Sequence, residues 1–547
     1  MKILDFSTIQ STGNLTYDIL LALRKCKTEK YQKLVFPKDD YVIDTTYCEE
    51  RYLCVSNHDL NDAKRIAVLI EDMENFEIDF NGSTITTKGI ITPIVVRNSK
   101  NITVKNVFLR NPSTMMLQTR VVETGEDWAK LKIEYGEEDF IFDRGTLYSQ
   151  CGREYIYALQ DASLEFDGIT GEVAHGSGGN PLGNHKQHYH EKTNDGHIIV
   201  HGISRKPPIG NYVVLHNYHR AGSGVFAENS ENLYFENLII NSCYGMGMLV
   251  QFCRNVTLNK CGTKRRDGRI YTAAADGTHF VGCTGVVTLE NCEFEGQFDD
   301  ALNIHGVYLR VVGRISNDEL LIKEMHHQAL NLPVLNAGDR VQVLDPESLI
   351  PYTQRTVEWV EFINSEILKV KFKEPVTDIN IGDDIESLTQ VCDLIFRNNI
   401  VRDNRARGIL IAAKGKVLVE NNYFHSSGVA ILFEAEDSWW FESGGTTDVT
   451  LKNNVFDNCR HGGEYWCEPV IFFKNRRKTE KDKYFHGEVK IIDNEFKMYN
   501  DEVLEFANIE KVVFTGNKID KDNVKITIAH CGESKLQDGK INYIFKD

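Results

Sequence analysis

The sequence predicts an all-β protein, a right-handed parallel β-helix carrying two inserted antiparallel β domains of barrel-like form. The first observation behind this is a recurring phrase, alternating apolar and polar residues that run into Asn or a close substitute. It spans residues 102–107, 233–238, 256–261, 287–292, 394–399, 417–422, 449–454, 489–494 and 512–517. The second is its period: the last residues are 23 apart at Leu238 and Cys261, at Asn399 and Asn422, and at Asn494 and Asn517. The third is that the spacing elsewhere only lengthens, to 31, 32 and 40 residues, and twice by far more. A stacked coil behaves this way, because each turn must rejoin the ladder while its corners accept extra residues. Alternation aims Val, Ile, Leu and Phe inward. Asn suits the corners because it tolerates left-handed backbone angles and bonds its own main chain.

The elements follow in order. Residues 16–26 read as an amphipathic helix with Ile19, Leu20, Ala22 and Leu23 on one side, suited to capping the open end of a coil. With the strand-like 34–43 and the first phrase they make residues 1–116, the N-terminal part of the helix with its cap. The 131 residues from Val107 to Leu238 exceed one turn by over a hundred, so 117–199 is expected to be an inserted β domain, with alternating pieces such as 128–133. The coil returns over 200–306. The 107 residues from Cys292 to Asn399 place a second inserted β domain at 307–389, and 390–547 complete the coil.

Spacing also marks the chemistry. Asp276 precedes Asp299 by 23 residues and Asp300 by 24, one turn of the coil. Stacked strands lie about 4.8 Å apart, so these carboxylates are expected to crowd together. Aligning 276–280 with 300–304 and 407–411 puts Asp276, Asp300 and Arg407 in one column and His279 beside Asn303; 427–431 extends the alignment by one more rung. Strict alternation would aim Asp299 and Asp300 at opposite faces, and a buried unpaired carboxylate is costly, so a bend is expected there. Crowded carboxylates suit hydrolysis of a glycosidic bond: one stays protonated for the leaving oxygen while the others orient and deprotonate water. Asp276 and Asp300 are expected to hold the water, with Asp299 as the acid. Adjacent aspartates also fit a solvated turn or a calcium site.

Composition narrows the classes. With 41% hydrophobic and 26% charged residues the chain is an ordinary globular one, and only 11 prolines argue against long linkers. A net charge of −17 lacks the basic footprint of a nucleic-acid binder. The apolar run 19–23 is far shorter than the roughly 18–20 residues of a membrane span. The start, Met1 to Asp5, shows no signal peptide, so a cytoplasmic location is expected; a trimmed secreted or periplasmic protein would read the same. Thirteen cysteines without paired spacing fit reduced thiols, and Cys243, Cys253, Cys261, Cys283 and Cys292 are expected to fill the interior. There is no phosphate-binding Gly loop, nucleophile elbow or paired CxxC.

Asp276, together with the phrase from Asp299-Asp300 through Leu302, Asn303 and His305 to Gly306, in a β-helix with two inserted modules, resembles the family-110 glycoside hydrolases of the pectin-lyase-like superfamily. The resemblance implies an inverting exo-α-galactosidase that removes terminal α-1,3-linked galactose, as on blood group B or linear α-1,3-galactosyl glycans, with Asp276, Asp299 and Asp300 catalytic. No cofactor and no metal is implied. The partner is a terminal α-galactosyl oligosaccharide or glycoconjugate, and protruding modules on a long coil allow a homodimer. A polygalacturonase-like hydrolase or a lyase on the same scaffold, and a non-catalytic glycan-binding β-helix, are the alternatives.

Around the aspartates, Asn303, His305 and His279 are expected to line the cleft. Arg407 is expected near the acids. Glu434, Glu436, Trp439 and Trp440 form a loop whose indoles suit the apolar face of galactose and whose acids suit its hydroxyls. His216 and His219 read equally as cleft or surface. The basic run Lys264, Arg265, Arg266 and Arg269 reads as a solvated loop. His185, His188, His190 and His197 match no zinc pattern and read as a loop.

Overall fold

In the computed structural model residues 1–546 are described except 60, 137–139, 152–154, 159–161, 180, 184–187, 217–218, 464–467, 476, 478 and 481. The frame is a parallel β-helix running from Ile3–Asp5 to Ile541–Lys546, each strand pairing with its counterpart one turn away. The helix Leu15–Thr28 lies against the first turns. Asn14 caps it by accepting from the Tyr17 amide, and Ile19, Ala22, Leu23 and Cys26 are buried. Leu20, expected on the same face, is only half-buried. Asp18 turns inward instead, its charge met by the Ser11 and Thr12 hydroxyls at 3.0 and 2.7 Å.

The repeated phrase is the rung of the coil. Ile239 stands over Gly262, Gly262 over Glu293, Glu293 over Ile400, Ile400 over Tyr423, Tyr423 over Val455 and Val455 over Glu495. Each phrase therefore ends one residue before a matched position. Its last two residues divide the corner between them. The first takes the left-handed conformation, as in Asn237, Asn291, Asn398, Asn421 and Asn453 (φ between 49° and 57°). The second, where it is Asn, is buried and bonds the next turn: Asn422 donates to Asn454 at 2.9 Å, Asn454 to Asn494 at 2.9 Å and Asn494 to Asn517 at 3.0 Å. Such a ladder satisfies polar groups that alternation alone would strand in the interior. Beside it, Phe396, Phe424, Phe456 and Phe496 stack along the axis, and the five cysteines lie in the same core.

The first insert is an antiparallel sheet ordered Ala162–Phe166, Tyr212–His216, Met116–Thr124, Trp128–Tyr135, His197–His201, Tyr189–Lys192, with a separate three-stranded sheet beginning at Phe140–Asp143. Two of its strands extend past the expected limit at residue 199, because Tyr212–His216 returns along the opening strand before the coil resumes at Val225–Glu228. This sheet is open, whereas the second insert closes. Its strands Leu309–Arg314, Glu319–Glu324, Ile367–Phe372, Pro351–Phe362, Arg340–Leu344 and Asp384–Ser387 form a barrel around Val311, Leu320, Ile322, Val341, Val357 and Val370. Among the described residues no helix is long and apolar enough to cross a membrane.

Candidate active site

Four stacked strands form one wall: Thr278–Val281, Leu302–Val307, Ile409–Ala412 and Ile431–Phe433. His279 stands over Asn303 and Phe280 over Ile304, and Leu302 stands over Ile409, so Asp276, Asp300 and Arg407 enter the wall at equivalent points. The next rung differs from the alignment made above: Ile431 pairs with Ile409, and Phe433 with Ile411. The slip of two preserves which side chains face inward, which is why the apolar pattern hid it. Gly408 allows the rungs to approach here, since a Cβ would sit 2.4 Å from the Ala430 carbonyl oxygen.

The chain bends at Phe298 and Asp299, and oxygens of Asp276, Asp299 and Asp300 lie within 4.8 Å of one another. They stand at different depths. The Asp299 side chain is 17% exposed, Asp276 5% and Asp300 0%. Arg407 Nε donates to Asp300 Oδ1 at 2.8 Å and its Nη2 lies 3.4 Å from Asp299. Arg220 and Arg405 approach Asp299 at 3.7 and 4.0 Å. Three guanidinium groups around three carboxylates leave little attraction for a calcium ion. Asp300 Oδ2 is buried and without a hydrogen-bond partner.

Protonation follows from hydrogen-bond bookkeeping. His305 Nδ1 is 2.6 Å from the Gly306 carbonyl, which only accepts, so that nitrogen carries a proton. In a neutral His305, Nε2 is then an acceptor, and it faces His279 Nε2 at 2.8 Å, which must donate. A neutral His279 in turn accepts at Nδ1, and the group there is Asp276 Oδ2 at 2.6 Å. With both imidazoles neutral, the chain closes only if Asp276 is a carboxylic acid. Electrostatics agrees: burial first, then the Asp299 charge, pushes Asp276 up to about 8, while burial holds His279 well below the usual imidazole range. Burial likewise raises Asp300, against the pull of Arg407. For this coupled pair the direct Arg407 bond places the negative charge on Asp300 and the proton on Asp276.

Asp276 and Asp299 floor a cavity of about 620 Å³, and Asp300 lies fully buried behind them. Asn303, His279, Arg407, Glu434, Glu436, Trp439 and Trp440 line it, as do His216 and His219. One expected lining residue is not there, and two that are there have their polar atoms engaged by the protein itself. His305 does not line the cleft; it lies behind His279, 3.5 Å from Glu442. His279 reaches the wall but commits both ring nitrogens, to Asp276 and His305, rather than to a ligand. Glu436 is consumed by its own loop, accepting from the amides of Ser438, Trp439, Trp440 and Phe441, and so fixes the indoles instead of binding hydroxyls.

The basic run is not simply solvated either. Arg265 is largely buried, donates to the Gly171 carbonyl at 2.8 Å and pairs with Asp403, while Lys264 pairs with Glu293. Of the histidine run, His185 lies outside the described residues. The other three sit in the first insert and, among the described residues, form no group able to hold an ion.

Sequence reasoning missed Asn57, Asp59, Arg220, His327, Gln328, Arg405, Glu442 and Lys474, all in the cleft wall. None lies in a repeated phrase: Glu442 stands in the short strand Glu442–Ser443, paired antiparallel with Gly306 and Val307, and Arg405 lies in the coil turn just before Arg407. Glu442 accepts from Asn303 and Asn57 at 3.3 Å, and Lys474 pairs with Glu434 at 3.0 Å. The polar stretch 56–59 between apolar strands was the one available signal, since all four residues there are buried or nearly so.

Comparison with known proteins agrees with this architecture. The family model described as GLAA-B beta-barrel domain II matches residues 319–385, within the closed barrel, and the right handed beta helix region model matches 360–476. The chain is 29% identical to alpha-1,3-galactosidase B of Phocaeicola vulgatus, covering 93% of this chain and 90% of that protein. It is 28% identical to alpha-1,3-galactosidase A of Shewanella woodyi, covering 95% and 86%. Among solved structures, the A-module of the Azotobacter vinelandii mannuronan C-5 epimerase AlgE4 aligns over 99% of this chain and 97% of its own, at 10% identity and a TM-score of 0.38. The chain is therefore a homologue of the α-1,3-galactosidases over nearly its whole length, a glycoside hydrolase built on a right-handed parallel β-helix.

Proposed function

We propose that the cleft hydrolyses terminal α-1,3-linked galactosides with inversion at the anomeric carbon. The observation that carries this reading is the convergence of three carboxylates of unequal exposure at the base of one cavity, Asp276 and Asp299 lining it and Asp300 buried behind them, with the proton of the deeper pair on Asp276. The names of the relatives supply the substrate class. Asp299, the most open of the three, is the donor to the leaving oxygen, taking up for that step the proton that Asp276 holds at rest. Asp276, then a carboxylate, takes the attacking water at the cavity wall, and Asp300 with its unpartnered Oδ2 lies buried directly behind it. Trp439 and Trp440, fixed by Glu436, offer a face for the apolar side of the sugar, while Glu434 and Lys474 supply polar contacts.

The nearest oxygens, within 4.8 Å, are closer than the ~6.5–9.5 Å between carboxyl groups of most inverting enzymes and nearer the ~5–5.5 Å of retaining ones. Inversion is favoured because the two deep carboxylates are 5% and 0% exposed, too recessed to attack a sugar carbon without an intervening water. The test is the anomer released first from an α-1,3-galactosyl disaccharide, followed by NMR. β-Galactose is expected, and α-galactose would overturn the mechanism.

A second assignment, with Asp276 as the acid, is favoured by the proton it carries. The asparagine variants separate the two. Loss of the acid is masked by a dinitrophenyl leaving group, whereas loss of a water-holding residue is not, each costing about 10²–10⁴-fold with an ordinary glycoside. The first assignment expects Asp299→Asn to recover on the activated substrate, and recovery by Asp276→Asn instead would exchange the roles.

A further inference from the structure

Away from the aspartates, a second cluster joins the first insert to the coil. The loop after Ala162–Phe166 carries Glu172 and His175, and a turn of the coil carries His461; a ligand atom of each lies within 4.8 Å of the others. His461 is 1% exposed. Its Nδ1 lies 3.1 Å from the Asn458 carbonyl and so carries the proton, which leaves Nε2 as a lone pair, buried and without a hydrogen-bond partner. Metal-bound histidines show this arrangement, one nitrogen donating to a carbonyl and the other free to ligate. Glu172 is oriented from behind: its Oε2 is 2.7 Å from His425 Nε2, and His425 Nδ1 is 2.7 Å from the Asp457 carbonyl. Its Oε1 faces His175 Nε2 at 3.5 Å. The backbone already joins the two segments, Gly176 donating to the His461 carbonyl at 2.7 Å and Gly178 to that of Gly462 at 2.8 Å.

We propose that Glu172, His175 and His461 bind one divalent transition-metal ion, with His425 positioning the carboxylate, and that this ion fastens the first insert to the coil. Two imidazoles and one carboxylate suit Zn²⁺ and disfavour Mg²⁺ or Ca²⁺, which prefer all-oxygen shells. The half-exposed His175 leaves a solvent-facing side by which an ion enters.

The test uses the full chain stripped with chelator, loaded with ZnCl₂, desalted and analysed for metal. The expected result is one zinc per chain in the native protein and less than a tenth of that in His461→Ala and in Glu172→Gln. Zinc should raise the melting temperature of the native protein by several degrees and leave that of each variant unmoved. Circular dichroism of the metal-free variants, matching that of the metal-free native chain, excludes misfolding as the cause. Sub-stoichiometric zinc in the native protein, or equal zinc in the variants, overturns the proposal.

Discussion

At the scale of single residues, the site depends on where one proton resides. The chain from the Gly306 carbonyl through His305 and His279 ends on Asp276, and with both imidazoles neutral the protonated form of Asp276 completes every hydrogen bond. Because the folded value is raised, to about 8, the proton is in place at neutral pH and is lost as pH rises through that value. We expect kcat/KM to fall above about pH 8 along this ionisation. His305→Leu removes the acceptor for His279, which is then free to donate to an Asp276 carboxylate and stabilise it. The alkaline limb should move to lower pH by about one unit, equivalent to about 1.4 kcal/mol, while kcat at the optimum falls far less than in Asp276→Asn. An unmoved limb in His305→Leu would detach the histidines from the chemistry. The aspartates themselves were legible from the sequence because a period of one turn converts spacing into proximity. The direction in which His305 faces was not, since period-two alternation fixes the face of a strand but not which neighbour intervenes before the cleft.

At the scale of the element, the two residues that close each phrase do different work, and their substitutions should differ in size. Asn454 donates to the Val419 carbonyl at 3.0 Å and to Asn494, and accepts from the amide and side chain of Asn422 at 3.0 and 2.9 Å. Asn454→Ala leaves several buried groups unpaired, at about 1–3 kcal/mol each, so a loss of at least about 3 kcal/mol is expected in denaturant unfolding. Its neighbour Asn453 is exposed with φ of 54°, a conformation glycine adopts without strain, and Asn453→Gly should change stability by less than about 1 kcal/mol. Equal effects would mean that the buried ladder does not hold the turns in register. The repeat was readable because both constraints recur on every rung. The two-residue slip at Ile431 was not, because Ile431 and Phe433 are both apolar and either satisfies the interior pattern. The open sheet of the first insert and the closed barrel of the second were likewise indistinguishable in sequence. Both consist of alternating strands, and closure is set by which strand pairs with the first.

At the scale of the molecule, the cleft is assembled where three excursions from the coil meet, and Asp59 is where they are joined. Its Oδ2 accepts from the Arg220 amide at 2.7 Å and lies 3.0 Å from His219 Nδ1, just after the first insert. Its Oδ1 accepts from Gln328 at 2.8 Å, on a loop of the barrel, and the Gln328 carbonyl takes the Asn57 amide at 2.8 Å. Burial alone would raise this carboxyl, but the bonds from His219 and Arg220 outweigh it and bring Asp59 down to about 2. The depressed value means that the Asp59 charge is fully present above pH 4 and is lost only as pH falls through about 2, so its own ionisation does not contribute to activity changes between pH 4 and 9. Removing the carboxylate should act on geometry, leaving the coil intact because its ladder is made elsewhere. Asp59→Ala is therefore expected to lower kcat/KM by about 10- to 100-fold, equivalent to about 1.4–2.7 kcal/mol of transition-state stabilisation, through displacement of Arg220 from Asp299. Hydrogen exchange should accelerate around Arg220 and Gln328 and stay unchanged in the strands Leu302–Val307 and Ile409–Ala412. Faster exchange in those strands would mean that the inserts support the catalytic wall itself, and unchanged kinetics would mean that the cleft does not need its excursions joined.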